Sequence, residues 1–105
     1  MIHYRKTIDI ASGRQGEAIA RAHEWAALAK DHGITLRVPV VTTGTLGRLC
    51  MSADYESMGA READGAKAGA HPDWVALGAK QNQEVRDGTS PLVPNTVHEE
   101  YWRYS

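Results

Sequence analysis

Alternation of apolar and polar side chains predicts strands over residues 2–10, 48–55 and 95–105. A fourth strand is predicted over residues 34–44, because that run is rich in β-branched side chains. Pro39 cannot donate a backbone hydrogen bond, so this strand is expected at a sheet edge or with a bulge. The turn TGTLG separates it from the run that follows, and the two runs are expected to form a hairpin.

Helical spacing of small apolar residues predicts a first helix over residues 14–32. Ser12 is expected to cap its start, and Gly33 follows its end, where a left-handed residue is common. The stripe expected to pack on the sheet contains Ala18, Ile19, Ala22, Ala26 and Ala29. A second helical region is predicted in two segments, which begin at Ser57 and His71.

The decamer GAHPDWVALG, residues 69–78, holds a histidine and a tryptophan around a proline and an aspartate. Pro72 suits the first turn of a helix, where its missing N–H costs no hydrogen bond, and Asp73 suits the positive end of the helix dipole. Trp74 and Leu77 are three residues apart, so they are expected to share a face that fixes this helix to the sheet. The decamer is therefore interpreted as architecture.

The elements follow the order β-α-β-β-α-β without an internal linker, which predicts a single α+β domain over residues 1–105. The expected packing is ferredoxin-like, with a four-stranded antiparallel sheet and both helices on one face.

Charge and composition exclude several classes of partner. Twelve Lys and Arg residues are interspersed with thirteen Asp and Glu residues, so neither nucleic acid nor an anionic membrane surface is an expected partner. No run approaches the roughly 20 apolar residues of a membrane span, and the N-terminal run does not resemble a signal peptide. The single cysteine, Cys50, cannot form an internal disulfide, which fits a reducing compartment. We expect a cytoplasmic protein.

Helices on one face leave the other face of the sheet uncovered, and its composition is unusual for a solvated surface. Its expected members are His3, Arg5, Thr7, Asp9, Thr35, Arg37, Val41, Arg48, Cys50, Ser52, His98, Glu100, Trp102 and Tyr104. One interpretation is a sheet face that is partly exposed to solvent and carries some amphipathic side chains. The other is that two such sheets face each other across a twofold axis and enclose a pocket.

His3 and His98 are the candidate catalytic residues of this face, as general bases, because imidazole titrates near neutral pH. They lie on the first and last strands, which are neighbours in a ferredoxin-like sheet and so can bring them together. Glu100 shares the face and can orient one of them. The alternative is that both are ordinary polar residues.

Arg5 and Arg48 are candidate ligand-binding residues, since a guanidinium holds a carboxylate or an enolate oxygen through two hydrogen bonds. The alternative is ion pairing with Asp9, Asp54 or Glu100.

Three further residues complete the candidate ligand-binding set. Cys50 is a nucleophile only if neighbouring cations lower its pKa. Otherwise it is a small apolar side chain that packs in the interior. Trp102 and Tyr104 either stack on a flat ligand or pack at a dimer seam.

A metal site is not predicted, and no cofactor is expected. His23 and His32 are nine residues apart, His71 is isolated in sequence, and no His-x-His or Glu-x-x-His pair is present. Haem ligation by His3, His71 or His98 is left open as an alternative, although no sequence pattern supports it. The stretch GTLG also lacks the spacing and the lysine of a phosphate-binding loop.

Three stretches carry a family resemblance: TTGTLGRLCMSADYESM, GAHPDWVAL and TVHEEYWRY. They resemble a turn, strand and helix start, an Asp-Pro-Glu-Trp type motif, and the closing strand of the dimeric α/β-barrel superfamily, nearest to its NIPSNAP-like branch. The chain departs from that pattern in having His71 where aspartate is common, and in lacking phenylalanine.

This resemblance implies a homodimer whose two sheets close into a barrel. Superfamily relatives include cofactor-independent monooxygenases of aromatic polyketides, haem-degrading enzymes, small isomerases and members without a known activity. The first functional hypothesis is therefore a barrel that binds a small aromatic or carboxylate-bearing molecule between the sheets. The second is a cofactor-independent monooxygenase with a histidine base. A module that only dimerises would have no cavity.

Overall fold

The structure, a computed structural model, describes residues 1–38 and 47–103. Its strands are β1 (Ile2–Asp9), β2 (Arg48–Tyr55) and β3 (His98–Arg103), and its helices are α1 (Gln15–Asp31), α2 (Met58–Gly69) and α3 (Pro72–Asp87). The described strands form an antiparallel sheet in the order β2-β1-β3, so that β1 is central. The α+β class is confirmed.

The predicted fourth strand lies mostly outside the described residues, which stop at residue 38 and resume at residue 47. Its described part makes one antiparallel bridge, in which Arg37 and Ser52 exchange backbone hydrogen bonds of 2.7 and 2.9 Å. Because Ser52 pairs with Arg5 on its other side, this bridge lies at the edge of β2 that β1 leaves open. The described residues thus contain three strands where four were predicted.

The first helix ends as its sequence predicts but begins differently. Gly33 has a φ of 78°, and its N–H and that of Ile34 donate to the carbonyls of Lys30 and Ala29. These two bonds close the helix in the manner typical of a left-handed glycine. The prediction that Ser12 caps the start is wrong, because Arg14 is the N-cap and its side chain makes no capping bond among the described residues.

The core beneath α1 is built from small side chains. Ala18 and Ala22 pack with Ile10, Leu49 and Leu92, and all five are buried. The predicted stripe is wrong at Ile19, which is 40% exposed.

Arg21 takes a buried place on α1 instead. It is buried because its guanidinium donates two hydrogen bonds to the Glu84 carboxylate, at 2.6 and 3.0 Å. A buried charge is tolerated when it is paired in this way.

The two segments of the second helical region are the separate helices α2 and α3. The Ser57 hydroxyl accepts a hydrogen bond of 3.1 Å from the Ala60 N–H and caps α2, and Pro72 opens α3. Trp74 packs edge-on against Trp25 of α1, with ring centres 4.8 Å apart. The helix is therefore fixed to α1 at this point, where the sequence predicted contact with the sheet. None of the described helices is long and apolar enough to cross a bilayer.

Candidate functional site

The strand register assigns each sheet residue to one of two faces. His3, Arg5 and Thr7 lie on the outer face, as do their partners on β2 and β3. Tyr4 and Lys6 lie on the inner face, which α1 and α2 cover. The two faces carry different candidate sites.

On the outer face, His3 is held by a carboxylate that the sequence analysis did not assign to it. Its Nδ1 lies 2.7 Å from Oδ1 of Asp54, its cross-strand partner on β2. Arg37 donates to the other oxygen of Asp54 at 2.6 Å. These hydrogen bonds from His3 and Arg37 lower the pKa of Asp54, so the carboxylate is ionised at neutral pH and orients the imidazole.

On the opposite edge strand of this face, Glu100 connects two side chains of β3. It lies 2.8 Å from Nε2 of His98 and accepts a hydrogen bond of 2.9 Å from Nε1 of Trp102. Both contacts lower the pKa of Glu100. Arg5 is the cross-strand partner of Glu100 and adds a favourable charge interaction.

The two histidines are not brought together. His3 pairs with Trp102, whereas His98 pairs with Thr7, four residues further along β1. At about 3.3 Å per residue, the two histidines are separated by about 13 Å along the strand direction. Each histidine has its own carboxylate, so they form two separate pairs within the sheet.

The arginines are also separated along the sheet. Arg48 pairs with Asp9 on β1, and its Nε lies 3.4 Å from the Asp9 carboxylate. This contact corresponds to the alternative in which Arg48 forms an ion pair and does not hold a ligand. Arg5 faces Ser52 and lies four residues along β1 from Asp9, the partner of Arg48.

Three candidate residues of the outer face remain: Cys50, Trp102 and Tyr104. Cys50 is half-buried, and burial raises the pKa of its thiol against a smaller opposing effect of Arg5, which favours a filler over a nucleophile. Trp102 is 57% exposed. Tyr104 lies outside the described residues.

A cavity of about 330 Å³ lies on the inner face, between the sheet and the helices. The sequence predicts core in this place and the pocket on the opposite face. The aromatic part of the wall consists of Tyr4, Trp25, Tyr55 and Trp74. Lys6, Arg21, Arg61 and Glu99 add charged groups.

The charged part of the wall is centred on Arg61 of α2. Its guanidinium carbon lies 5.6 Å from the centre of the Tyr4 ring. Its Nε is buried and has no hydrogen-bond partner among the described residues. A Cβ at Gly65 would lie 2.9 Å from Nη1 of Arg61, so the glycine leaves room for the guanidinium. Burial, followed by the charge of Glu99, raises the pKa of Tyr4, so the phenol is neutral.

The opposite part of the wall is formed by helices. Trp25 and Trp74 meet edge to face, and Nε1 of Trp25 donates a hydrogen bond of 3.0 Å to Gln81. This bond satisfies the indole N–H and leaves the ring faces available for packing.

The sequence signal for this cavity was a break in alternation. Lys6 occupies an inward position of β1 between Tyr4 and Ile8, and Glu99 is its cross-strand partner on β3. Charged residues in an otherwise apolar register indicate that the face is not a closed core.

A second group that sequence reasoning missed lies at the end of α1. His32 and His71 stack with ring centres 3.7 Å apart, and Nε2 of His32 lies 3.3 Å from Oδ1 of Asp73. The two histidines are distant in sequence, so their spacing gave no metal-binding signal.

Comparison with solved structures shows which proteins share this fold. An uncharacterised NIPSNAP domain protein from Burkholderia xenovorans superposes with a TM-score of 0.74 at 17% identity, over 100% of this chain and 95% of that one. A NIPSNAP family protein of unknown function from Agrobacterium tumefaciens superposes with a TM-score of 0.75 at 15% identity, over 100% and 88% of the two chains. The fold is that of the NIPSNAP-domain proteins.

The same fold extends to a more distant group. An antibiotic biosynthesis monooxygenase superposes with a TM-score of 0.66 at 8% identity, over 100% of this chain and 99% of that one. Neither the family models nor the curated proteins compared with the sequence gave a match. The resemblance stated from the sequence is therefore confirmed for the NIPSNAP-like fold.

Proposed function

We propose that this chain binds a small planar molecule with an anionic group in the cavity between the sheet and the helices. The observation that carries the proposal is Arg61, a cation that lies 5.6 Å from the centre of the Tyr4 ring at the wall of an aromatic cavity. This location replaces the space between two sheets that the sequence analysis favoured.

The size and lining of the cavity support a small ligand. A volume of about 330 Å³ is at the lower end of the range for small-molecule sites. Rings of Tyr4, Trp25 and Trp74 at the wall favour a flat apolar body.

The charges of the wall support an anionic group on that ligand. Lys6, Arg21 and Arg61 contribute three cations, of which Arg21 is paired with Glu84, and Glu99 contributes one carboxylate. The guanidinium of Arg61 can donate hydrogen bonds to an anionic oxygen on the ligand, and a hydrogen bond to a charged group contributes about 1.5–3 kcal/mol. The antibiotic biosynthesis monooxygenase that shares the fold also supports a small-molecule ligand.

Calorimetric titration with 1-naphthoate and with its methyl ester tests this proposal. We expect naphthoate to bind the wild type, and Arg61→Met to weaken that binding about tenfold or more, because a hydrogen bond to a charged group contributes about 1.5–3 kcal/mol. The ester should bind both proteins equally. Arg86→Met, at an exposed position of α3, is the matched control. Naphthoate binding that is absent in the wild type, or equal in Arg61→Met, would contradict the proposal.

The second candidate function places chemistry on the outer face, where Asp54 orients His3. In the tautomer that donates Nδ1–H to Asp54, Nε2 carries the lone pair that accepts a proton. Such a base would remove a proton from an acidic C–H of the substrate, and the carbanion would react with dioxygen as the oxidant. The carbon is a CH₂ group: one oxygen atom becomes the carbonyl oxygen of the product, and the other leaves as water with the two hydrogens of that carbon. A second copy of the chain, packed sheet to sheet, would close this site.

Anthrone, an acidic carbon acid, is the probe for this second candidate. Its conversion to anthraquinone and water should consume one dioxygen per molecule, and His3→Asn or Asp54→Asn should slow it about 100-fold. His23→Asn, at an exposed position of α1, should leave the rate unchanged. Equal rates in His3→Asn and the wild type would exclude His3 as the base.

A further inference from the structure

We propose that His32, His71 and Asp73 form a binding site for a zinc ion. One ligand atom from each of these side chains lies within 4.8 Å of the other two. They come from two elements, since His32 is the C-terminal cap of α1 whereas His71 and Asp73 lie at the start of α3. The site does not depend on the proposed function of the cavity.

The donor set fits zinc. Two imidazole nitrogens and one carboxylate oxygen are ligands that Zn²⁺ commonly takes, and a fourth position then remains for water. With ligand bonds of about 2.0–2.2 Å, tetrahedral ligand atoms lie about 3.3–3.6 Å apart. Nε2 of His32 and Oδ1 of Asp73 already have that separation, at 3.3 Å. To bring a nitrogen of His71 to the same separation, its ring would rotate out of its stack with His32.

The surrounding backbone favours a cation. α1 ends at Asp31, directly before His32, and α2 ends at Gly69, two residues before His71. The negative ends of two helix dipoles therefore meet at the imidazoles. The positive end of α3 opposes them, and the Asp73 carboxylate in its first turn offsets that charge.

An ordinary ion pair explains only part of this arrangement. It accounts for the contact between His32 and Asp73, but it gives no reason for a second imidazole stacked on the first at 3.7 Å. The side chain of His32 is only 8% exposed, whereas Asp73 is exposed, so an ion would enter from the Asp73 side.

A bound ion would connect the end of α1 to the start of α3 beside the cavity. Trp74, which follows Asp73, lines the cavity, as does Ile34, two residues after His32. Because binding of an ion to the folded state alone stabilises it, zinc should raise the melting temperature.

The test is calorimetric titration of Zn²⁺ into the full chain without an affinity tag. We expect one ion per chain in the wild type, and at least a tenfold loss of affinity in His32→Asn, His71→Asn and Asp73→Asn. Asparagine is a favourable N-cap, so His71→Asn keeps the start of α3 intact. His23→Asn, on the exposed face of α1, is the control and should bind as the wild type does.

A second measurement on the wild type keeps the result independent of how the variants fold. Addition of Zn²⁺ should shift the ring ¹⁵N resonances of His32 and His71 together, with His23 unaffected. The visible spectrum of bound Co²⁺ should show the intense bands of a four-coordinate ion. Unsaturable binding, or an affinity that His32→Asn and His71→Asn leave unchanged, would overturn the proposal.

Discussion

The guanidinium carbon of Arg61 lies 5.6 Å from the centre of the Tyr4 ring, which joins α2 to the central strand of the sheet. A cation over an aromatic face is attracted by the ring, by about 0.5–2 kcal/mol depending on its exposure to water. This contact positions the charge at the cavity wall. Gly65 controls the space behind the guanidinium, since a Cβ there would meet Nη1 of Arg61 at 2.9 Å.

Gly65→Ala should therefore weaken binding of an anionic probe without harming the fold. Alanine in a helix interior is more favourable than glycine by about 1 kcal/mol, and the displaced atom belongs to the end of a flexible side chain. We expect an unchanged or higher melting temperature together with weaker binding of 1-naphthoate. Gly59→Ala is the control, because its nearest neighbour, the Ser57 hydroxyl, would lie 3.7 Å away. Equal naphthoate affinities in the two variants would disprove this role of Gly65.

The ion pair between Arg21 and Glu84 should make stability depend on pH. The hydrogen bonds from Arg21 lower the pKa of Glu84 in the folded state. Its stabilising effect is therefore present above the unfolded value, near 4.5, and is lost as the pH falls through the lower folded value. At pH 7, Glu84→Gln should reduce the free energy of unfolding by about 2 kcal/mol, because it leaves a buried guanidinium without its partner charge.

Urea unfolding at a series of pH values measures this effect. The difference between the wild type and Glu84→Gln should shrink as the pH falls below about 4.5. Glu62→Gln, at an exposed position of α2, should show no such difference at any pH. A difference between the wild type and Glu84→Gln that stays constant from pH 7 to pH 3 would contradict the prediction.

The proposed homodimer makes a prediction about Trp102. This side chain is 57% exposed on the outer face, and a large aromatic residue on an open sheet is typical of an interface. We expect the wild type to sediment as a dimer and Trp102→Glu as a monomer. Val75→Glu, at a position 56% exposed on α3, should remain a dimer. A monomeric wild type at micromolar concentration would rule out sheet-to-sheet pairing.

Cys50 should react slowly with iodoacetamide at neutral pH. Burial raises the pKa of its thiol, and the thiolate is the reactive form. The alkylation rate should therefore still rise above pH 9. The chain unfolded in guanidinium chloride is the reference, because Cys50 is its single cysteine. A rate that levels off below pH 8 in the folded protein would show an activated nucleophile instead.

Strands with one buried face were predictable from the sequence because burial imposes alternation. The run at 48–55 corresponds to β2 residue for residue, and the outer face has the composition expected from that register. The start of α3 was also predictable, since Pro72 marks a first helical turn.

The cavity and the histidine cluster were not predicted, for a different physical reason. Alternation shows which residues point inward, but it does not show whether they fill the space between the layers. His32 and His71 meet because α1 and α3 pack together, and no local pattern encodes that contact.

Ala22 on α1 and Ala68 on α2 line the cavity, and both are only 1% exposed. Each contributes a single methyl group, so the depth of the cavity reflects the shortness of these two side chains. A larger apolar residue at either position would occupy space that a ligand now has available. The size of the proposed ligand is therefore set by single positions on the helices, and it can change while the sheet and its register remain the same.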